Sequence, residues 1–401
     1  MNVVIGPLEI RDDIEGECGI DHARLSAMCT CDEWSDPKEL YFEVPSPYRE
    51  GLCARRVDSF VVGLLTWAMW KAYSTQEEVT IVSETPISDR LLFQLEQTYV
   101  PVVSRQLADR YAPVSFDMPV SSERIEGEKS AATGVSGGID STYNILKLSG
   151  GGYPKLKYGI TCDFDSPRAK SRTEKSKSLV NVTEKICAVH KLEHIVINSN
   201  FTEELYGLAH AAIIDPLIMA HALALQNMIG VYCVGSTYLF EEFSFNPEDV
   251  SQFELFIATY MSTQDLQFYT IGSEVTRFEK TRLIAEFEEP KHYLMPCSVT
   301  SSTKCCNRCS KCTRTMCTLW CLDKLDEFRD IFDVDLFYSD MNYHLGYLIM
   351  RRRYHFNKEI LNECKRTGHK IPLSAWVAAF VKWARRGFRA TNPAASEYRP
   401  K

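Results

Sequence analysis

Nine residues, Gly134-Val135-Ser136-Gly137-Gly138-Ile139-Asp140-Ser141-Thr142, constrain this chain more than any other stretch. The small residues before them read as a strand and those after them open a helix, so strand, tight turn and helix start follow in succession. The paired glycines let the backbone approach an anion without Cβ obstruction, and their N–H groups can point at phosphate oxygens. Ser136 and Ser141 add hydroxyls, and the helix that begins near Thr142 adds its positive end. Residues 135–142 are therefore a candidate cradle for the triphosphate of ATP. Asp140 would repel phosphate if left bare, which points to a bound Mg²⁺. No Gly-Lys-Ser/Thr follows the glycines, so this is not the Walker-type loop. A glycine-rich turn before an ordinary helix is the plain alternative.

Length and patterning place the loop inside a larger chain. At 401 residues two or three domains are expected. Residues 1–128 read as an α+β domain, with strands at 40–44 and 79–82, an apolar helix at 57–72 and a second helix at 89–112 that stops before Pro113. No phosphate loop, metal spacing or catalytic constellation stands out there. After residue 130 short apolar segments at 131–135, 156–160, 194–197 and 231–234 alternate with helical stretches at 141–148, 173–190 and 209–228. That order predicts an α/β fold with a parallel sheet, and a ligand beyond the carboxyl ends of its strands. Asp163, after the second strand, and Gly235-Ser236-Thr237, after the fourth, should face the same cleft; ordinary loop duty is the alternative for each. The histidines are scattered, and His190, His194, His210 and His221 read as core or helix-surface residues.

Fifteen cysteines invite a disulfide reading, but six of them (Cys305, Cys306, Cys309, Cys312, Cys317 and Cys321) fall within 17 residues. In a reducing compartment such clustering points to metal. Cys306, Cys309 and Cys312 repeat a two-residue spacing, and Cys297 upstream completes four thiolates, the closed set of a structural zinc site. An iron–sulfur cluster is the serious alternative, although a ferredoxin-type run would want its next cysteine at 316, where Met316 stands. Cys187 and Cys233 read as buried small hydrophobes.

The glycine loop resembles that of the PP-loop family of N-type ATP pyrophosphatases. A PP-loop followed by Cys297, Cys306, Cys309 and Cys312 at these spacings resembles the 7-cyano-7-deazaguanine synthases (QueC), as does Leu156-Lys157-Tyr158-Gly159. The resemblance covers residues 130–320. It implies an adenine-nucleotide α-hydrolase-like fold over 129–325, with nucleotide on residues 135–142 and zinc on the four cysteines; Asp140, through its Mg²⁺, and Asp163, from its place after the second strand, are the candidate catalytic carboxylates. It further implies cleavage of ATP between the α and β phosphates, with adenylation of a carboxylate or amide, such as a 7-deazaguanine carboxylate, for attack by a nitrogen nucleophile. Among Arg277, Lys280 and Arg282, Lys280 is the candidate to steady the leaving pyrophosphate, with a solvated helix face as the alternative. Arg308, Lys311 and Arg314 are similar candidates. The front domain, the 236–269 segment and the basic tail have no counterpart in the small synthases. They leave open a protein or nucleic-acid acceptor, a tRNA-thiolating enzyme, and a non-catalytic nucleotide-binding partner.

Net charge is −8, yet residues 351–401 hold 13 Lys/Arg against 3 Asp/Glu. Such a helical basic tail, covering 326–401, suits a polyanion, the chain's own acidic body or a second subunit in a homodimer. Its Trp376, Phe380 and Trp383 are expected to bury against the body. No leader peptide and no apolar run of membrane-spanning length are found, so a cytoplasmic protein without a membrane partner is expected.

Overall fold

A computed structural model describes residues 1–15, 21–164, 174–205, 208–297 and 304–387. The chain divides into two compact units, Met1–Thr276 and Arg277–Lys401. The strands, all in the first unit, are β1 (Asn2–Ile5), β2 (Glu9–Glu15), β3 (Asp21–Cys31), β4 (Lys38–Pro45), β5 (Val79–Ser83), β6 (Ile87–Ser88), β7 (Val114–Asp117), β8 (Val120–Ser121), β9 (Ser130–Gly134), β10 (Leu156–Asp163), β11 (Glu193–Ser199), β12 (Ile229–Gly235) and β13 (Gln267–Ile271). Eleven of them form one mostly parallel sheet, ordered β13-β12-β9-β10-β11-β4-β3-β1-β5-β7, with β2 on β3. The fold is α/β with a mostly parallel central sheet.

The boundary expected at 128/129 falls inside this sheet. Antiparallel pairing of Asn198 with Glu43 and Ser199 with Phe42 joins β11 to β4, which covers an edge strand that would otherwise be left open. β9 is short and made of small residues, and Ala131, Ala132 and Thr133 are buried, as a central strand requires. Helix Asp58–Thr75 is buried on most of its circumference and packs on helix Ile214–Ala224.

Two helices differ from expectation. The one expected over 89–112 runs as Asp89–Gln94, a π turn Leu95–Tyr99 and Val100–Gln106. Pro101 has no N–H to give, and the wider turn accommodates it. The helix expected over 209–228 is Ile214–Ala224, preceded by a 3₁₀ turn at His210–Ala212.

The second unit is helical among its described residues. Helices Met341–Met350 and Leu373–Gly387 approach at Gly346, where an added Cβ would lie 3.4 Å from the Ala375 carbonyl oxygen. The last helix packs on this alanine side and turns the other way from expectation: Trp376 is 45% and Phe380 63% exposed. Small side chains give the closer backbone approach, so the bulky residues face outward. The Trp383 side chain and residues 388–401 of the basic tail lie outside the described residues. Cys321 is joined to Cys364 by a disulfide, so this member of the cysteine run is not a metal ligand.

Candidate functional site

The order β11-β10-β9-β12-β13 reverses direction between β9 and β12. In parallel sheets the loops leaving the carboxyl ends of two such strands diverge and open a crevice. The Ser136 loop leaves β9 at this point, and helix Ile139–Leu148 follows it directly. Val135 N donates to Ile160 O at 2.7 Å, which carries the strand pairing to the loop's edge. Gly137 then takes φ +72°, a conformation costly for any residue with a Cβ. Gly138 has an ordinary φ of −77°. Only one of the two glycines is needed by the backbone itself.

The serines hold the loop in shape. Ser136 Oγ and Ser141 Oγ lie 3.0 Å apart. Ser136 N donates to Ser141 Oγ at 3.3 Å and Gly138 N to Ser136 Oγ at 3.4 Å. These long bonds to rotatable hydroxyls are readily exchanged for a stronger anionic acceptor. The first intrahelical bond runs from Thr142 N to Gly138 O at 3.0 Å, so the amides of Ile139, Asp140 and Ser141 precede it at the helix's positive end. Val135, Ile139 and Thr142 turn their side chains into the interior and are at most 3% exposed; with the Val135 and Thr142 amides already paired, only Ile139 of the three has its N–H for a ligand. Asp140 is half-buried on the first turn. Asp163 is the buried last residue of β10, in register with Asn198.

Sequence reasoning missed the carboxylate that holds the opposite wall. Glu254, 3% exposed, accepts hydrogen bonds from Ser236 Oγ at 2.5 Å and Thr237 N at 2.9 Å, and so fixes the turn after β12. Burial pushes its carboxyl well up, with the Asp215 and Asp140 charges adding to the effect. Burial likewise raises Asp215 to about 6. Glu254 lies 18 residues from Ser236 in an aromatic-rich segment, and no local pattern marks it. Two of the four histidines, His194 and His221, make interior contacts as expected. His194 Nε2 lies 2.9 Å from Thr161 Oγ1, and His221 is fully buried with Nδ1 2.6 Å from Leu217 O.

The cysteines form a site of their own in the second unit's numbering. One sulfur from each of Cys297, Cys306, Cys309 and Cys312 lies within 4.8 Å of all the others. Cys309 and Cys312 sulfurs are 3.3 Å apart, Cys306 and Cys312 3.9 Å, and Cys297 and Cys309 4.0 Å. Four sulfurs about 2.3 Å from one zinc ion would stand about 3.8 Å from each other, so the set fits such a metal. The backbone supports it: Cys309 N donates to Cys306 Sγ at 3.3 Å, and Cys312 N donates to Cys309 Sγ at 3.4 Å. Asn307 supplies the left-handed residue of the turn at φ +58° and donates to Cys305 O. Hydrogen bonds from Cys305, Cys309 and Cys312 pull the Cys297 thiol down, while those to Cys297, Cys305 and Cys309 push Cys312 up. Such crowding favours one thiolate among thiols, a conflict that a cation resolves.

Three of the cations expected to serve a polyanion have defined surroundings. Lys280, on helix Arg277–Ala285, is 1% exposed. Arg308 is paired with Asp340, and Arg314 lies against the rings of Tyr354 and Phe356 at 5.4 and 5.3 Å.

Fold and clusters together define an α/β protein with a mostly parallel central sheet and a four-cysteine cluster able to hold a metal such as zinc. Comparison with protein-family models, with curated proteins and with solved structures found no match. No helix among the described residues is long and apolar enough to cross a membrane.

Proposed function

We propose that the chain is an ATP-dependent adenylating enzyme of the PP-loop type, releasing AMP and pyrophosphate. The observation that carries this reading is the position of the Ser136 loop at the β9/β12 reversal, with Gly137 at φ +72° and the helix's first amides behind it. The Gly137 and Ile139 amides and the two serine hydroxyls receive phosphate oxygens, and Asp140 holds the accompanying Mg²⁺. That ion supplies neutralising charge to the triphosphate. A carboxylate or amide oxygen of the acceptor, such as a 7-deazaguanine carboxylate, attacks the α-phosphorus. The bond from that phosphorus to the bridging oxygen breaks, and pyrophosphate leaves with its electron pair. A nitrogen nucleophile then displaces AMP from the activated carbon. Asp163, at the neighbouring strand end, orients the acceptor. Catalysis of this kind is positioning and charge neutralisation and requires no nucleophilic side chain.

The four cysteines hold zinc in this reading. With all four positions filled by sulfur, its work is structural. Incubation of the full chain with ATP, Mg²⁺ and candidate carboxylates should yield AMP and pyrophosphate, and Asp140→Ala should slow it by roughly 100-fold or more. Formation of ADP and phosphate instead would overturn the proposal.

A further inference from the structure

At the other end of the same strands, the amino ends of β9, β10 and β12 frame a cavity of about 510 Å³. Its lining includes Lys129, Lys155, Lys157 and Lys191, with Tyr153 and a single acidic residue, Glu193. The sheet itself makes room for it. Ala131 and Ala132 pair with Leu156 and Tyr158, which leaves Lys157 bulged out on one side of β9. Ser130 and Ala131 pair with Ile229 and Val231, which leaves Gly230 bulged out on the other. Bulges bend a strand and re-aim the extra residue, and these two flank the central strand at one end. Both bulged residues line the cavity.

The charges are arranged rather than scattered. A Cβ on Gly230 would lie 3.0 Å from the Lys129 Cβ, so glycine gives Lys129 its place. The Lys129 ammonium is then fixed 2.9 Å from the buried Asp265 carboxylate. Lys157 meets Glu193 at 3.6 Å in an exposed pair of little strength. Lys155 and Lys191 have no carboxylate within ion-pair distance among the described residues. With Asp265 offsetting Lys129 and Glu193 facing Lys157, four ammonium groups against two carboxylates still leave a positive basin, centred on Lys155 and Lys191. The Tyr153 ring stands 80% exposed at its rim.

We propose that this basin is a second anion site, taking a nucleoside mono- or diphosphate with its phosphate on Lys155, Lys157 and Lys191 and its base against Tyr153. The volume lies within the range of about 300–1,000 Å³ usual for small-molecule sites. An exposed aromatic ring beside lysines serves both halves of such a ligand, the base by stacking and the phosphate by charge. The site uses none of the residues of the Ser136 loop, so it stands whether or not that loop turns over ATP.

Photolabelling of the full chain with 8-azido-AMP, followed by peptide mapping, tests this. Label is expected on the peptide containing Tyr153, and it is expected to survive Asp140→Ala. The double variant Lys155→Glu/Lys191→Glu should weaken labelling there by about tenfold or more, and Lys155→Arg/Lys191→Arg should restore it. Absence of label from that peptide at saturating probe overturns the proposal, as does labelling unchanged by the glutamate pair. Displacement of the probe by a single-stranded RNA of about 20 nucleotides, far more readily than by AMP, would also overturn it by assigning the basin to nucleic acid. Failure of ATP turnover with intact labelling at Tyr153 would sink the adenylation reading alone.

Discussion

Asp140 and Gly235 meet backbone to backbone: the Asp140 carbonyl oxygen stands 2.8 Å from where a Cβ on Gly235 would lie. The last residue of β12 is thus glycine because the helix carrying Asp140 crosses directly over it. Gly235→Ala should push the helix start away, since the obstruction is backbone and cannot rotate aside. A loss of about 1–3 kcal/mol is expected from such overpacking. Thermal unfolding measures it, and nucleotide binding should weaken together with stability. An alanine variant as stable as the parent would contradict the close approach.

Arg24 and Glu43 form an ion pair across β3 and β4, with each residue 2% exposed and Arg24 Nε 2.9 Å from Glu43 Oε2. Glu43→Ala leaves the buried guanidinium only the more distant Glu39 carboxylate, 3.7 Å from its Nη1, and should cost about 3 kcal/mol in denaturant unfolding. Arg24→Met/Glu43→Leu should cost distinctly less, because no unpaired charge is left behind, Glu39 keeping its ion pair with Arg11. Equal losses in the two variants would show that shape, not charge, governs the position.

The four-cysteine cluster should bind about one zinc per chain and no iron. Cys309→Ala should abolish the metal and lower the unfolding temperature. Cys305→Ala should keep it, since the Cys305 sulfur is bonded to Met295 Sδ at 3.7 Å and lies outside the set of four. Elemental analysis decides the matter; iron in the native protein would favour the cluster alternative.

Burial lifts the Asp215 carboxyl from its usual 3.8 to about 6. Between those values the unfolded chain has released this proton while the folded chain retains it. The contribution of Asp215 is therefore fully present below about pH 4 and is lost as pH rises through about 6. Urea midpoints of Asp215→Asn, measured relative to the parent, should rise across that window. A difference that stays flat with pH would argue that the carboxyl is not buried as described.

Much of the first unit's second half was legible. The strands expected at 131–135, 156–160, 194–197 and 231–234 are β9 to β12, because parallel strands buried on both faces leave short apolar runs. β3 was not legible. Arg24 and Ser26 are buried within it, so its sequence has no alternation to read. The metal set was legible because its ligands lie close in the chain. The Cys321–Cys364 pair was not, with 43 residues between its members. Glu254 and Asp215 escaped notice for the same reason, being brought to the β12 turn only by folding.

By itself, then, the sequence determined what is local: a glycine at the one turn position that demands it, serines one residue before and four residues after that glycine, and cysteines spaced to share one ion. Tertiary structure alone decided what is distant, namely that β4 closes onto β11, that Gly235 lies under Asp140, and that two bulges open a lysine-lined cavity at the sheet's far end. The reason is physical: turn geometry and ligand spacing depend on a few consecutive dihedrals, whereas strand order and buried charge depend on which surfaces the whole chain can cover at once.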